Sequence, residues 1–269
     1  MTERRRPRIA RNVVTGQICR PGEEWEGHPS PPAGGVGDPD YPEVPDGPCG
    51  VRHRTLKRPG PDSQRIELVS PYAPRDIFRD FHRRKARWAA IVAHRRAGKT
   101  VACINELVMG ALKCPLPAPR FAYIAPQLNQ SKDIAWEYLK DFTRFIPGRW
   151  SFTTELWVEL PGGARIRLYG ADNPDRLRGG YFDGVVFDEY GDMDPNVWAT
   201  VVRPMLSDPA RLPGWACFIG TPKGKNGFHR LWTAAESRPE WYRLELKASE
   251  TRLLDAKELA AARRDMSDE

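Results

Sequence analysis

From about residue 63 onward, short apolar runs alternate with longer segments in which apolar and charged positions recur at helical spacing. RWAAIVA (87–93), RFAYIAP (120–126), GVVFD (184–188), GWACFIG (214–220) and WYRLELKA (241–248) have the length and apolar content of strands. Helices are predicted over KTVACINELVMGALK (99–113), QSKDIAWEYLKDFTRFI (130–146), PNVWATVVRPML (195–206), GFHRLWTAAES (227–237) and from about Asp255. RIELVSPYAPRDIFRDFHRR (65–84) begins extended and passes into a helix, and TELWVELPGGARIRLYG (154–170) reads as two strands joined by a Pro-Gly-Gly turn. Strands alternating with helices imply an α/β fold, a mostly parallel central sheet with helices on both faces. No internal repeat is visible.

The first sixty residues follow neither rhythm. They hold ten Pro and nine Gly, which marks 1–62 as an irregular Pro/Gly-rich extension preceding a domain over 63–254. A terminal helix over 255–269 completes the chain.

Composition narrows the class. The 269 residues carry a net charge of +7, which suits a polyanionic partner without identifying it. The richest basic cluster, RDIFRDFHRRKARW (75–88), runs on to Arg95, Arg96 and Lys99. The five cysteines lack paired spacing and read as reduced thiols. Cys19, His28, Cys49 and His53 match no common zinc-finger spacing. No stretch approaches the roughly 20 apolar residues of a membrane span, and the N-terminus lacks a secretory signal, so a soluble intracellular protein is expected.

The chemistry lies in two places. In AAIVAHRRAGKTVACINE (89–106) an apolar strand runs into a turn and AGKT opens a helix, the arrangement of a phosphate-binding P-loop. Backbone N–H groups over Arg95, Arg96, Ala97 and Gly98, with the positive helix end, would receive phosphate oxygens. Lys99 would reach the terminal phosphates, and the hydroxyl of Thr100 would ligate Mg²⁺. The pattern GxxxxGK[ST] departs at its first position, where this chain has Ala93.

The second place is VVFDEYGDMD (185–194), where an apolar strand delivers Asp188 and Glu189 to one spot. In P-loop enzymes the strand neighbouring the phosphate strand ends in an Asp that holds the Mg²⁺ shell, a role that fits Asp188. Glu189, one residue on at the carboxyl end of the strand, is placed to take a proton from attacking water. An acidic turn, with Asp192 and Asp194 following, is the plainer explanation of the same letters.

With both motifs in place, residues from about 65 to 269 resemble the ATPase domain of the large terminase subunit, the motor that packs DNA into tailed-phage heads. AHRRAGKT is similar to the arginine-containing Walker A variant and VVFDEY to Walker B. YIAPQLNQSKDIAW, GADNPDRLRGGYFDGVVFDE and FIGTPKGKNGFHRLW resemble the motif after the second strand, the run into Walker B, and the coupling motif. The resemblance implies that Thr221 sits near the γ-phosphate with Gly220 and Pro222. It also implies that Arg178, with Arg176 as runner-up, is an arginine finger acting on a neighbouring subunit. It implies an adenine-side element at SPYAPRDIFRDFHRR, where Arg75, Phe81 and His82 are candidates although the usual glutamine is not evident; Phe81 in an amphipathic helix is equally a core residue.

The function so implied is Mg²⁺-dependent ATP hydrolysis that drives double-stranded viral DNA into a procapsid. Implied partners are DNA, the portal protein, the small terminase subunit and further copies in a ring, a pentamer in the family, with host cytoplasm as the location and no membrane contact. No nuclease residues are assigned, because the chain stops at AKELAAARRDMSDE, which resembles the start of a linker. Two other readings stand: a catalytically silent P-loop assembly or DNA-binding module, and a helicase-like ATPase.

Overall fold

The computed structural model describes residues 70–251 other than 179, together with 10–12, 17–19, 64–65 and 253. Within the region expected to be irregular, β1 (Ala10–Asn12) and β2 (Gln17–Cys19) pair antiparallel, and β2 pairs with β3 (Gln64–Arg65). His28, Cys49, His53 and the helix expected from Asp255 lie outside the described residues.

From α1 (Asp76–Arg83) the predicted rhythm holds. The run before the phosphate loop is β4 (Trp88–Ala93), and the helix it feeds is α2 (Lys99–Lys113). β5 (Arg120–Ala125) and α3 (Leu128–Thr143) follow. The Pro-Gly-Gly segment joins β7 (Trp157–Leu160) to β8 (Ala164–Gly170), its turn closed by Gly162 and Gly163 at φ 89° and 75°. Only glycine takes two such left-handed steps in succession at little cost. Sequence pattern did not indicate β6 (Trp150–Phe152), a three-residue edge strand paired with β7. β9 (Gly184–Phe187), β10 (Trp215–Gly220), α5 (Gly227–Ala235), β11 (Trp241–Leu246) and α6 (Ala248–Thr251) complete the core. The helix expected over 195–206 is a π-type turn, Val197–Val202, running into α4 (Arg203–Met205).

The core strands form one sheet in the order β11-β4-β10-β9-β5-β8-β7-β6. The first six run parallel, β7 pairs antiparallel with β8, and β6 pairs antiparallel with β7. Alternation along each parallel strand splits the core in two. Ala89, Ile91, Phe121, Tyr123 and Val186 pack under α1, α2 and α3, while Trp88, Ala90, Ile124, Phe187 and Phe218 pack under the 197–206 segment and α5. On the second face Phe187 and Phe218 stack with centroids 4.9 Å apart, and Trp198 meets both edge-on, which fixes β9 against β10.

The order corrects one expectation. β9 is not the neighbour of β4, because β10 lies between them and pairs with both. Residues 220–222 therefore leave the sheet between the phosphate loop and the two acids. Chain order does not dictate spatial order in a parallel sheet, since each crossover helix can carry the next strand past a position already filled or still open.

Candidate functional site

β4 ends at Ala93, which is fully buried and pairs with Leu246. This is where the phosphate-loop pattern has its first glycine. Ala93 is not among the residues with positive φ, so a methyl side chain is tolerated and the departure from the pattern has no conformational cost. The left-handed steps come later, at Arg96 (φ 65°) and at Gly98 (φ 97°), the residue that caps α2. Arg75 is packed on this turn. Its Nη1 donates to the Ala97 carbonyl at 2.8 Å and lies 3.2 Å from where a Cβ on Gly98 would stand. Ala97 is buried, whereas Arg95 and Arg96 are exposed.

The loop is also tied to the C-terminal end of the sheet. His94 N donates to Leu246 O at 3.1 Å, and the His94 ring bonds the Arg95 carbonyl at 2.7 Å and the Thr251 hydroxyl of α6 at 2.8 Å.

Lys99 and the acids converge. Lys99 is 8% exposed, and its Nζ lies 3.4 Å from Glu189 Oε1. Strict strand alternation would put Asp188, two residues after Val186, on the α2 face and would send Glu189 to the other. Glu189 instead adopts φ 44°, ψ 48°, a left-handed conformation that is unfavourable for a residue with a Cβ. The backbone so re-aims the side chain that Glu189 meets Lys99. Thr221 holds Glu189 there, its N–H and hydroxyl donating to Oε2 at 3.2 and 3.1 Å.

Asp188 faces the β5 side. Its N–H continues the β9–β5 ladder by donating to Ile124 O at 2.8 Å. Oδ1 accepts from the Glu189 N–H at 3.0 Å, and Oδ2 accepts from the Tyr123 hydroxyl at 2.5 Å. Burial pushes the Asp188 carboxyl above the ordinary carboxylate range; the Glu189 charge acts the same way, and the Tyr123 bond and the Lys99 ammonium oppose it. Burial, with the Asp188 charge next, drives the Tyr123 phenol well above its usual value, so it remains a donor. The nearby Thr100 side chain acts on the same phenol in the opposite sense. Sequence reasoning missed Tyr123. The legible signal was a hydroxyl inside the buried strand RFAYIA, which had to find a partner.

Thr100 and Asp188 offer only oxygen donors, and no group of three or more His, Cys, Asp and Glu side chains gathers among the described residues. That set fits a hard cation such as Mg²⁺, which takes one or two protein ligands and completes its shell with phosphate oxygens and water.

Other candidates stand apart. Phe81 is fully buried in the core and His82 is engaged by the Tyr72 hydroxyl at 2.8 Å and Glu106 at 2.7 Å, so neither is free to meet a base. Arg178 is exposed in the loop after β8, its Nε paired with Asp175 Oδ1 at 3.1 Å. Arg176 is exposed as well. The basic run that sequence set beside the phosphate loop spans the sheet instead. Arg75 touches the loop, but Arg84, Lys85 and Arg87 line a cleft with Trp215 at the amino ends of β4 and β10.

No helix among the described residues is long and apolar enough to cross a membrane. No protein-family model matches the chain. Among curated proteins, the large terminase subunit of Thermus phage G20c is 29% identical over 201 residues, a match that covers 66% of this chain and 39% of that protein. The chain thus spans about two fifths of the length of the curated relatives it matches first. The large terminase ATPase domain of Thermus phage P74-26 superposes with a TM-score of 0.56 at 22% identity, covering 72% of this chain and 86% of that one. The large terminase of another thermophilic bacteriophage, in complex with ADP, gives a TM-score of 0.56 at 14% identity, over 71% of this chain and 48% of that one. Large terminase subunits match this chain in sequence, and the ATPase domains of phage large terminases match it in fold.

Proposed function

We propose that this chain is the ATPase portion of a DNA-packaging motor, hydrolysing ATP to move double-stranded viral DNA into a procapsid. The observation that carries the reading is the convergence of Lys99 and Thr221 on Glu189, each within 3.4 Å of its carboxylate, at the carboxyl end of a parallel sheet beside a left-handed phosphate loop. Ligands of open α/β sheets bind at that end.

In this mechanism the N–H groups of 95–98 and the start of α2 receive phosphate oxygens, and Lys99 neutralises the terminal phosphates. Thr100 and Asp188 would hold Mg²⁺, which supplies charge neutralisation between the phosphates. Tyr123 and the Glu189 N–H fix the Asp188 carboxylate so that its oxygens stay aimed at the site. Glu189 accepts the proton of the attacking water, and Thr221, bonded to that same carboxylate, carries the change at the terminal phosphate into β10. Arg178 completes the site of a neighbouring copy, in keeping with its exposed position and weak tether to Asp175. The portal protein, the small terminase subunit and the ring, expected to be a pentamer, belong to this same proposal.

Phosphate release measured at several protein concentrations, with and without duplex DNA, tests it. Turnover that rises with concentration and with DNA, and DNA binding that weakens with salt, are expected. Absence of turnover under every condition would favour a silent assembly module.

A further inference from the structure

Lys223 has no part in the mechanism above, yet it stands in the site. It lies in the loop between β10 and α5, and its ammonium meets Asp192 Oδ2 at 2.5 Å and Glu189 Oε2 at 3.8 Å. The other oxygen of that carboxylate meets Lys99 Nζ at 3.4 Å. Two ammonium groups therefore flank one carboxylate, and an oxyanion received by Lys99 competes with Glu189 for both.

The loop is fixed at its ends and exposed in its middle. Thr221 is bonded to Glu189, and Asn226 caps α5 by accepting from the N–H groups of Phe228 and His229 while donating to Gly191 O at 3.3 Å. Between them Gly224 takes φ 67°, and a Cβ there would meet nothing within 4 Å. Lys223 is 40% exposed on a flexible four-carbon stem, so it can exchange partners without rearranging the core.

We propose that Lys223 is a cis-acting ligand of the terminal phosphate: its ammonium leaves Asp192 and Glu189 for the γ-phosphoryl oxygens of a bound nucleoside triphosphate. This inference rests on the ATP-binding reading. The exchange frees Glu189 of one competing cation only when a third phosphate is present, so Lys223 distinguishes triphosphate from diphosphate. Asp192 holds the ammonium ready in the meantime.

The test compares binding of a fluorescent β,γ-imido triphosphate and of the matching diphosphate, both with Mg²⁺, to wild type, Lys223→Ala and Lys223→Arg. Lys223→Ala is expected to weaken triphosphate binding about 10- to 100-fold, the range of a charged hydrogen bond, and to leave diphosphate binding unchanged. Lys223→Arg should recover most of the loss. The diphosphate arm doubles as the control for an intact site. Equal losses for both nucleotides, or no loss for either, would overturn the inference while leaving the ATPase reading in place. A wild type that binds neither nucleotide would overturn both.

Discussion

Tyr123→Phe isolates the contact that positions Asp188. The ring is fully buried in the core and stays there, so the change removes one hydroxyl and the 2.5 Å bond it donates to Oδ2. A hydrogen bond to a charged group contributes about 1.5–3 kcal/mol, which in a domain of this size lowers Tm by roughly 3–12 °C. The sign with pH follows from Asp188. Its folded-state pKa is already raised above 3.8 by burial, and the tyrosine bond is the largest influence opposing that rise. Removing the bond raises the folded-state value further. The cost of the mutation is thus fully present above the folded-state pKa and fades as pH falls through it, because a protonated Asp188 no longer needs the donor. Chemical denaturation of wild type, Tyr123→Phe, Asp188→Ala and the double variant at neutral and weakly acidic pH gives the coupling energy. A coupling near zero, or one that is the same at both pH values, would refute the claim that a phenol holds a charged carboxylate here.

The left-handed backbone at Glu189 makes a comparison of two truncations informative: Glu189→Gly should be more stable than Glu189→Ala by about 1 kcal/mol in denaturant melts, the reverse of their order at an ordinary strand end, and neither should turn over ATP. Gly98→Ala places a Cβ on a φ of 97° and against Arg75, so a loss of about 1–2 kcal/mol with weaker nucleotide binding is expected, and an unchanged melting temperature would count against the loop geometry. Arg178→Ala should leave stability within about 0.5 kcal/mol and nucleotide affinity unchanged, since its pair with Asp175 is exposed, while abolishing the concentration-dependent part of turnover. Nucleotide affinity that collapses in that variant would place Arg178 in its own site.

What the sequence made legible was the periodic part. α2 begins and ends at the predicted residues because a phosphate-loop glycine starts it and a proline follows it at Pro115, and the buried strands announce themselves as apolar runs. Lys99, Asp188 and Glu189 could be named because each sits at a strand end or helix start, and Thr221 through the resemblance of its segment to the coupling motif. The geometry joining them was not legible. A left-handed Glu189 leaves no mark on an acidic turn, and the insertion of β10 between β4 and β9 depends on how crossovers pack. β6 has three residues and an exposed Trp150, too short for any period to show. The basic run misled because charge density along a chain says nothing about height along a sheet, and α1 carries that run from the loop to the opposite end of the strands.

The most direct measurement pairs MgATP binding with phosphate release for wild type, Lys99→Ala and Glu189→Gln. If one triphosphate lies between the ammonium and the acids, Lys99→Ala loses binding, and Glu189→Gln binds as tightly as wild type but releases no phosphate. Release from Glu189→Gln at the wild-type rate, or undiminished binding by Lys99→Ala, would mean that these groups do not act on the same phosphate.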